Sequence, residues 1–157
     1  VAPLMEEKQI EELINRYLSV SFSVTKKGEN MIKDSIGDCI TNDQHYTLRY
    51  IHFAGTCTST ELSEAFEVKK SAITAIINRL TEKELIKRTR DENDRRVIYL
   101  TLTEKGNDLY TKTEEKIKKL VESIITSFEE SEIVSFIETY EKLNTLLDQR
   151  KDCKMEE

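Results

Sequence analysis

Asp94-Arg95-Arg96-Val97-Ile98-Tyr99-Leu100-Thr101-Leu102-Thr103 alternates in its second half, with Ile98, Leu100 and Leu102 on one face and Val97, Tyr99 and Thr101 on the other. That is the period of a half-buried strand. Ahead of it lies a charged turn, Asp91-Glu92-Asn93-Asp94-Arg95-Arg96, and ahead of the turn a second short extended run, Ile86-Lys87-Arg88-Thr89-Arg90. Two strands joined by a polar turn make a hairpin with an arginine-rich tip.

Three short helices lead up to this hairpin. Thr41-Asn42-Asp43-Gln44 is a capping box, and it opens a helix carrying Tyr46, Leu48, Tyr50 and Ile51 that should stop at Gly55. Thr58-Ser59-Thr60-Glu61 repeats the box and opens a short helix with Leu62, Ala65 and Phe66. After a brief turn, Lys69-Lys70-Ser71 opens a third, running through Leu80 towards Glu84. Three capped helices followed by a hairpin is the order of a winged helix-turn-helix, here over residues 41–103.

A longer helical region lies on each side. From Glu6, the positions Ile10, Leu13, Ile14, Tyr17, Leu18, Ser21 and Val24 recur at three and four, an amphipathic helix that passes Met31 and Ile32, is weakened at Gly28 and ends by Gly37. Beyond the hairpin, Thr103 caps a helix with Leu109, Ile117, Leu120, Val121, Ile124, Ile125 and Phe128. A break near Glu129 to Ser131 precedes a last helix with Ile133, Phe136, Ile137, Tyr140, Leu143, Leu146 and Leu147. These stripes are too rich for solitary helices. Residues 1–40 and 104–150 therefore read as dimerisation helices, and 151–157 as a frayed polar tail. The fold class expected is mainly α (α+β).

Composition fits that class. Of 157 residues, 38% are hydrophobic and 34% charged, with four glycines and one proline, as expected for a helix-dominated soluble protein. No apolar run approaches the roughly 18 residues of a membrane span and no signal pattern precedes the first helix, so a cytoplasmic location is expected. Net charge is -6, but Lys69 to Arg96 holds nine Lys or Arg against five Asp or Glu, a local +4 that leaves -10 for the remainder. Phosphate contact depends on the local surface.

On a helical wheel, Ile73, Ile76, Ile77 and Leu80 share a narrow buried sector. Opposite them lie Ser71, Ala75, Asn78 and Arg79, flanked by Ala72 and Thr74. Short side chains let a helix approach base edges in a major groove, where hydroxyls and amides bond them and methyl groups touch thymine. Lys69 and Lys70, by the helix N-terminus, suit a phosphate. An ordinary solvated helix face would look similar, so the weight rests on the hairpin that follows. An arginine at a hairpin tip can enter a narrow minor groove.

The order Asp-x-Arg, three residues, Leu-x-Leu-Thr, opening a helix at Thr103, resembles the wing motif of the MarR family of bacterial winged-helix transcription regulators. The run Ser71 to Leu80 is similar to that family's recognition helix, with Ser71, Thr74, Arg79 and Leu80 of the usual types. The resemblance implies that Arg96 is the minor-groove residue and that Asp94 holds its guanidinium through a charge-assisted bidentate bond. Arg88, Arg90 and Arg95 are phosphate candidates. It also implies a homodimeric repressor on a pseudo-palindromic double-stranded DNA operator, released by a small aromatic or lipophilic ligand. Two positions depart from the pattern. Ala75 stands where many members carry a larger polar or basic residue. Glu84 stands where a glycine usually follows the helix, so it either takes a left-handed conformation at about 1 kcal/mol or the helix ends differently.

Other chemistry finds little support. His45 and His52, seven apart on one helix, cannot complete a zinc site alone, and no metal or cofactor is expected. Cys39, Cys57 and Cys153 are odd in number and far apart, which fits reduced thiols. The family's peroxide sensors carry their thiol early in the first helix, where this chain has none; Cys39 and Cys57 read as semi-buried. No nucleophile elbow, phosphate loop or catalytic carboxylate pair marks an enzyme. Two rival readings are a winged-helix protein-interaction module that has lost DNA binding, which the acidic total permits, and a thiol-based redox-sensing regulator.

Overall fold

The computed structural model describes residues 4–152. Its elements are α1 (Glu7–Ile36), α2 (Asn42–Ala54), α3 (Ser59–Phe66), α4 (Lys70–Glu82), β1 (Ile86–Arg90), β2 (Ile98–Leu102), α5 (Glu104–Ile125) and α6 (Glu130–Asp152). The chain divides into two compact units within α5, between Ile117 and Lys118.

In the first unit the capping boxes form as the sequence requires. Thr41 Oγ1 accepts from the Gln44 amide while Gln44 Oε1 accepts from the Thr41 amide, and Thr58 and Glu61 exchange the same pair of bonds. Such a cap contributes about 1 kcal/mol. The helices then bury one stripe each: Leu48 and Ile51 of α2, Leu62 of α3, and Ile73, Ile77 and Leu80 of α4. They pack with Leu85, Ile86, Leu100 and Tyr110 into one core. Each fully buried aliphatic side chain stabilises by roughly 1.5–3 kcal/mol.

β1 and β2 pair antiparallel, Ile86 opposite Leu102 and Arg90 opposite Ile98. The amide and carbonyl of Cys57 both bond Leu100, adding a third extended segment beside β2. The alternation read for β2 holds in part. Leu100 is buried and Leu102 partly so, but Ile98 is 37% exposed because the hairpin has left the core by that point.

The root of the hairpin is joined to α5. Glu84 takes the left-handed conformation, φ 60°, the first of the two alternatives open to it, so the chain leaves α4 through a strained residue. The chain then turns so that the Leu85 carbonyl accepts from the Thr103 amide at 3.1 Å. Thr103 Oγ1 caps α5 by accepting from the Gly106 amide and donates to the Glu84 carbonyl. Gly106 sits against this turn, and a Cβ built on it would lie 1.9 Å from the Leu85 oxygen. Only a residue without a side chain fits there.

α2 and α5 share a buried polar contact. His45, fully buried, lies 2.9 Å through Nδ1 from Thr113 Oγ1 and 3.0 Å through Nε2 from Glu114 Oε2, while Arg49 Nε donates to Glu114 Oε1. Burial, helped by Arg49, lowers the His45 pKa more than Glu114 raises it. Burial thus favours the neutral ring, while the Thr113 hydroxyl beside Nδ1 also donates to the Leu109 carbonyl at 2.9 Å. Tyr110 packs against both His45 and the exposed His52. Neither histidine belongs to a cluster of three metal-binding side chains among the described residues.

α1 buries only Ile36 among its 30 residues and leaves Ile14, Tyr17, Leu18, Phe22 and Val24 exposed. In the second unit α6 likewise leaves Phe136, Tyr140, Leu146 and Leu147 exposed. α6 continues through Lys151 and Asp152, two residues into the stretch read as a tail, and the remainder of that stretch, with Cys153, lies outside the described residues. No helix among the described residues is long and apolar enough to cross a membrane.

Neither of the other cysteines is semi-buried. Cys39 is exposed, whereas Cys57 is enclosed and its thiol is pushed up to about 11 by desolvation, so it stays protonated and unreactive at neutral pH.

Candidate nucleic-acid interface

α3 positions α4 through a tight turn. Glu67 adopts a left-handed conformation, φ 54°, and the Val68 amide bonds the Ser63 carbonyl. With Ile73, Ile77 and Leu80 buried, Lys69, Lys70, Ser71, Ala72, Thr74, Ala75, Asn78 and Arg79 are all exposed, as the wheel requires. Thr74 Oγ1 donates its proton to the Lys70 carbonyl at 2.8 Å, so towards a ligand it offers a lone pair and a methyl group.

Period-two alternation places Ile86, Arg88 and Arg90 on one face of β1, paired with Leu102, Leu100 and Ile98. At the root this face is core. Further out Arg88 and Arg90 replace the apolar residues and meet α4 across an open hollow of about 400 Å³, whose walls include Thr74, Ile77, Arg88, Arg90, Ile98 and Leu100. Arg88 Nη2 also donates to Asn78 Oδ1 on α4. Two residues read separately, one as a base contact and one as a phosphate contact, are thus partners.

Asp91 organises the tip. Its Oδ1 accepts from the Asn93 amide at 2.8 Å and the Asp94 amide at 3.0 Å, an Asx turn that holds its carboxyl below the usual carboxylate range. The Tyr99 phenol, hydrogen-bonded to Asp91, is raised above its usual value. Arg95 and Arg96 project from this turn into solvent. Asp94 does meet Arg96, but one oxygen, Oδ1, takes both the Arg96 amide and Nε in place of two parallel guanidinium bonds. The remaining guanidinium nitrogens stay free to reach outward.

Sequence reasoning missed the part played by Asp91 and the direction taken by Lys83. Asp91 was legible, since an aspartate ahead of Asn93-Asp94 is a common Asx-turn pattern, but was read only as charge. Lys83, within the basic stretch, turns away: its Nζ donates to the Cys39 carbonyl and to Gln44 Oε1 and braces the start of α2.

Residues 40–98 match the MarR family. The chain is similar to an uncharacterized HTH-type transcriptional regulator of Bacillus subtilis, YpoP, at 30% identity over 121 residues, covering 77% of this chain and 86% of that one. It is 36% identical over 90 residues to the HTH-type transcriptional repressor MdtR of the same organism, covering 57% and 58% of the two chains. The crystal structure of Streptococcus pneumoniae FabT in complex with DNA superposes with a TM-score of 0.73 at 30% identity, covering 88% of this chain and 98% of that one. The chain belongs to the MarR family of winged-helix transcriptional regulators.

Proposed function

We propose that this protein is a sequence-specific transcriptional repressor that binds a pseudo-palindromic operator as a homodimer, reading the major groove with α4 and the minor groove with Arg96. The observation that carries the reading is a shared hollow: Thr74, on the exposed face of α4, and Arg88 and Arg90 of the hairpin border one concavity. Lys69 and Lys70, at the N-terminus of α4, and Arg79, Arg90 and Arg95 supply the phosphate contacts. The DNA-bound FabT structure and the repressor name of MdtR support this reading.

A second copy of the chain is the occupant the uncovered apolar face of α1 calls for, since a face this large is seldom left in water. Two heads would then meet successive major grooves about 34 Å apart. The family resemblance adds release by a small aromatic or lipophilic effector, which must bind the DNA-competent and DNA-incompetent arrangements with different affinity.

Selection of binding sites from random duplexes at stated salt, together with sedimentation, tests the proposal. A recovered inverted repeat bound by two chains, with affinity falling steeply as salt rises, supports it. A chain that sediments as a monomer, or that enriches no sequence, overturns it; the latter favours the protein-interaction reading.

A further inference from the structure

The contact between Arg88 and Asn78 constrains how α4 reads DNA. Arg88 is held centrally in β1, opposite Leu100, whose own backbone is bonded on its other side to Cys57. Its side chain points along the core-facing side of the hairpin, and Nη2 donates to Asn78 Oδ1. A guanidinium has donors only, so the amide must turn its oxygen to the arginine and its nitrogen away. No ion pair competes for Arg88 among the described residues. Asn78 itself lies seven residues after Ser71 and three after Ala75, on the exposed face assigned to the groove.

An asparagine commonly recognises adenine by a two-point pairing in which Oδ1 accepts from N6 while Nδ2 donates to N7. That pairing needs both heteroatoms of the amide directed at the base in one plane. Here one lone pair of Oδ1 is taken by Arg88, which sets the orientation of the amide. We propose that Arg88 is a positioning residue for specificity: by holding the Asn78 oxygen, it orients the amide to read through its Nδ2 hydrogens and so to favour guanine, whose N7 and O6 both accept, over adenine. The inference rests on the DNA-binding reading above. It also assigns Arg88 a different role from the phosphate contact expected of it.

The test is binding-site selection with the full-length wild type and with Asn78→Ala, Arg88→Ala and Arg88→Lys, each checked for an unchanged thermal transition. The expected wild-type result is one position per half-site at which guanine is preferred to adenine by about ten-fold. Asn78→Ala should level that position alone. Arg88→Ala should shift the same position towards adenine without altering preferences elsewhere, and Arg88→Lys, which retains a donor, should restore part of the guanine preference. If Arg88→Ala instead weakens binding equally on all sequences and flattens the salt dependence, the arginine is a phosphate contact and the proposal is overturned. An unchanged selection with Asn78→Ala overturns it as well. A wild type that selects no sequence brings down the DNA-binding reading first, a result distinct from either of these.

Discussion

Asp94 Oδ1 accepts from the backbone amide of Arg96 at 3.0 Å and from its Nε at 3.2 Å. The carboxylate therefore fixes both the turn and the first part of the arginine side chain, while the outer guanidinium nitrogens remain in solvent, the side chain being 92% exposed. A pair this exposed contributes little to stability, since ion pairs in water rarely exceed about 1 kcal/mol. Its effect should be read in DNA affinity.

Arg96→Ala should weaken operator binding by on the order of ten-fold, the scale of one groove contact, with the thermal transition and dimerisation unchanged. Asp94→Ala should cost less, because the arginine remains but is no longer held. A fluorescence titration in which Arg96→Ala binds as the wild type does would remove this residue from the interface.

His45 makes stability depend on pH. The folded-state pKa lies below the unfolded value of 6.5, so between those two values the unfolded chain binds more protons and stability rises with pH. Stability is fully present above about 6.5 and declines as the pH falls through and below that value. Charging the ring is opposed by burial and by Arg49 and favoured by Glu114; Thr113, Tyr46 and Tyr110 complete its surroundings. Thermal melts from pH 7.5 to 5 should show the loss, and it should be shallower in His45→Gln. Identical slopes in the two proteins would assign the pH dependence to other groups.

Two substitutions at the hairpin root should act in opposite directions. Gly106→Ala drives a methyl group into the Leu85 carbonyl and should destabilise by about 1–3 kcal/mol. Glu84→Gly relieves a left-handed residue and should stabilise by up to about 1 kcal/mol, raising the melting temperature by roughly 2–4 °C. Calorimetry on both variants checks the pair.

The exposed apolar face of α1 should hold the partner subunit. Ile14→Glu with Leu18→Glu leaves every residue of the core cluster untouched, so the fold should survive while the dimer dissociates. Operator affinity should then fall by more than an order of magnitude as two linked half-sites become independent. Sedimentation unchanged by the double substitution would place the interface elsewhere.

The hairpin and the helices α2, α3 and α4 were legible because each rests on a local rule, although α4, expected to be capped, starts at Lys69 without a side-chain cap bond. Thr41 and Thr58 cap through their neighbours three residues on, and Ile73, Ile77 and Leu80 repeat at helical spacing. The Arg88–Asn78 contact was not, since it joins residues ten apart whose meeting depends on how the hairpin leans over α4. The same holds for His45 with Glu114, 69 residues apart, where spacing on one helix says nothing of what faces it. Ile98 was misjudged because alternation reports which way a side chain points, not whether anything lies opposite.

With the Leu85 oxygen gripped by Thr103 and seated beneath Gly106, the base of the wing and the first turn of α5 form a single joint with no slack. A tilt applied to the beginning of that helix must swing the arginine-bearing tip through a proportionate arc. On the proposed reading, such a swing alters the spacing between Arg96 and the face of α4 offered to DNA.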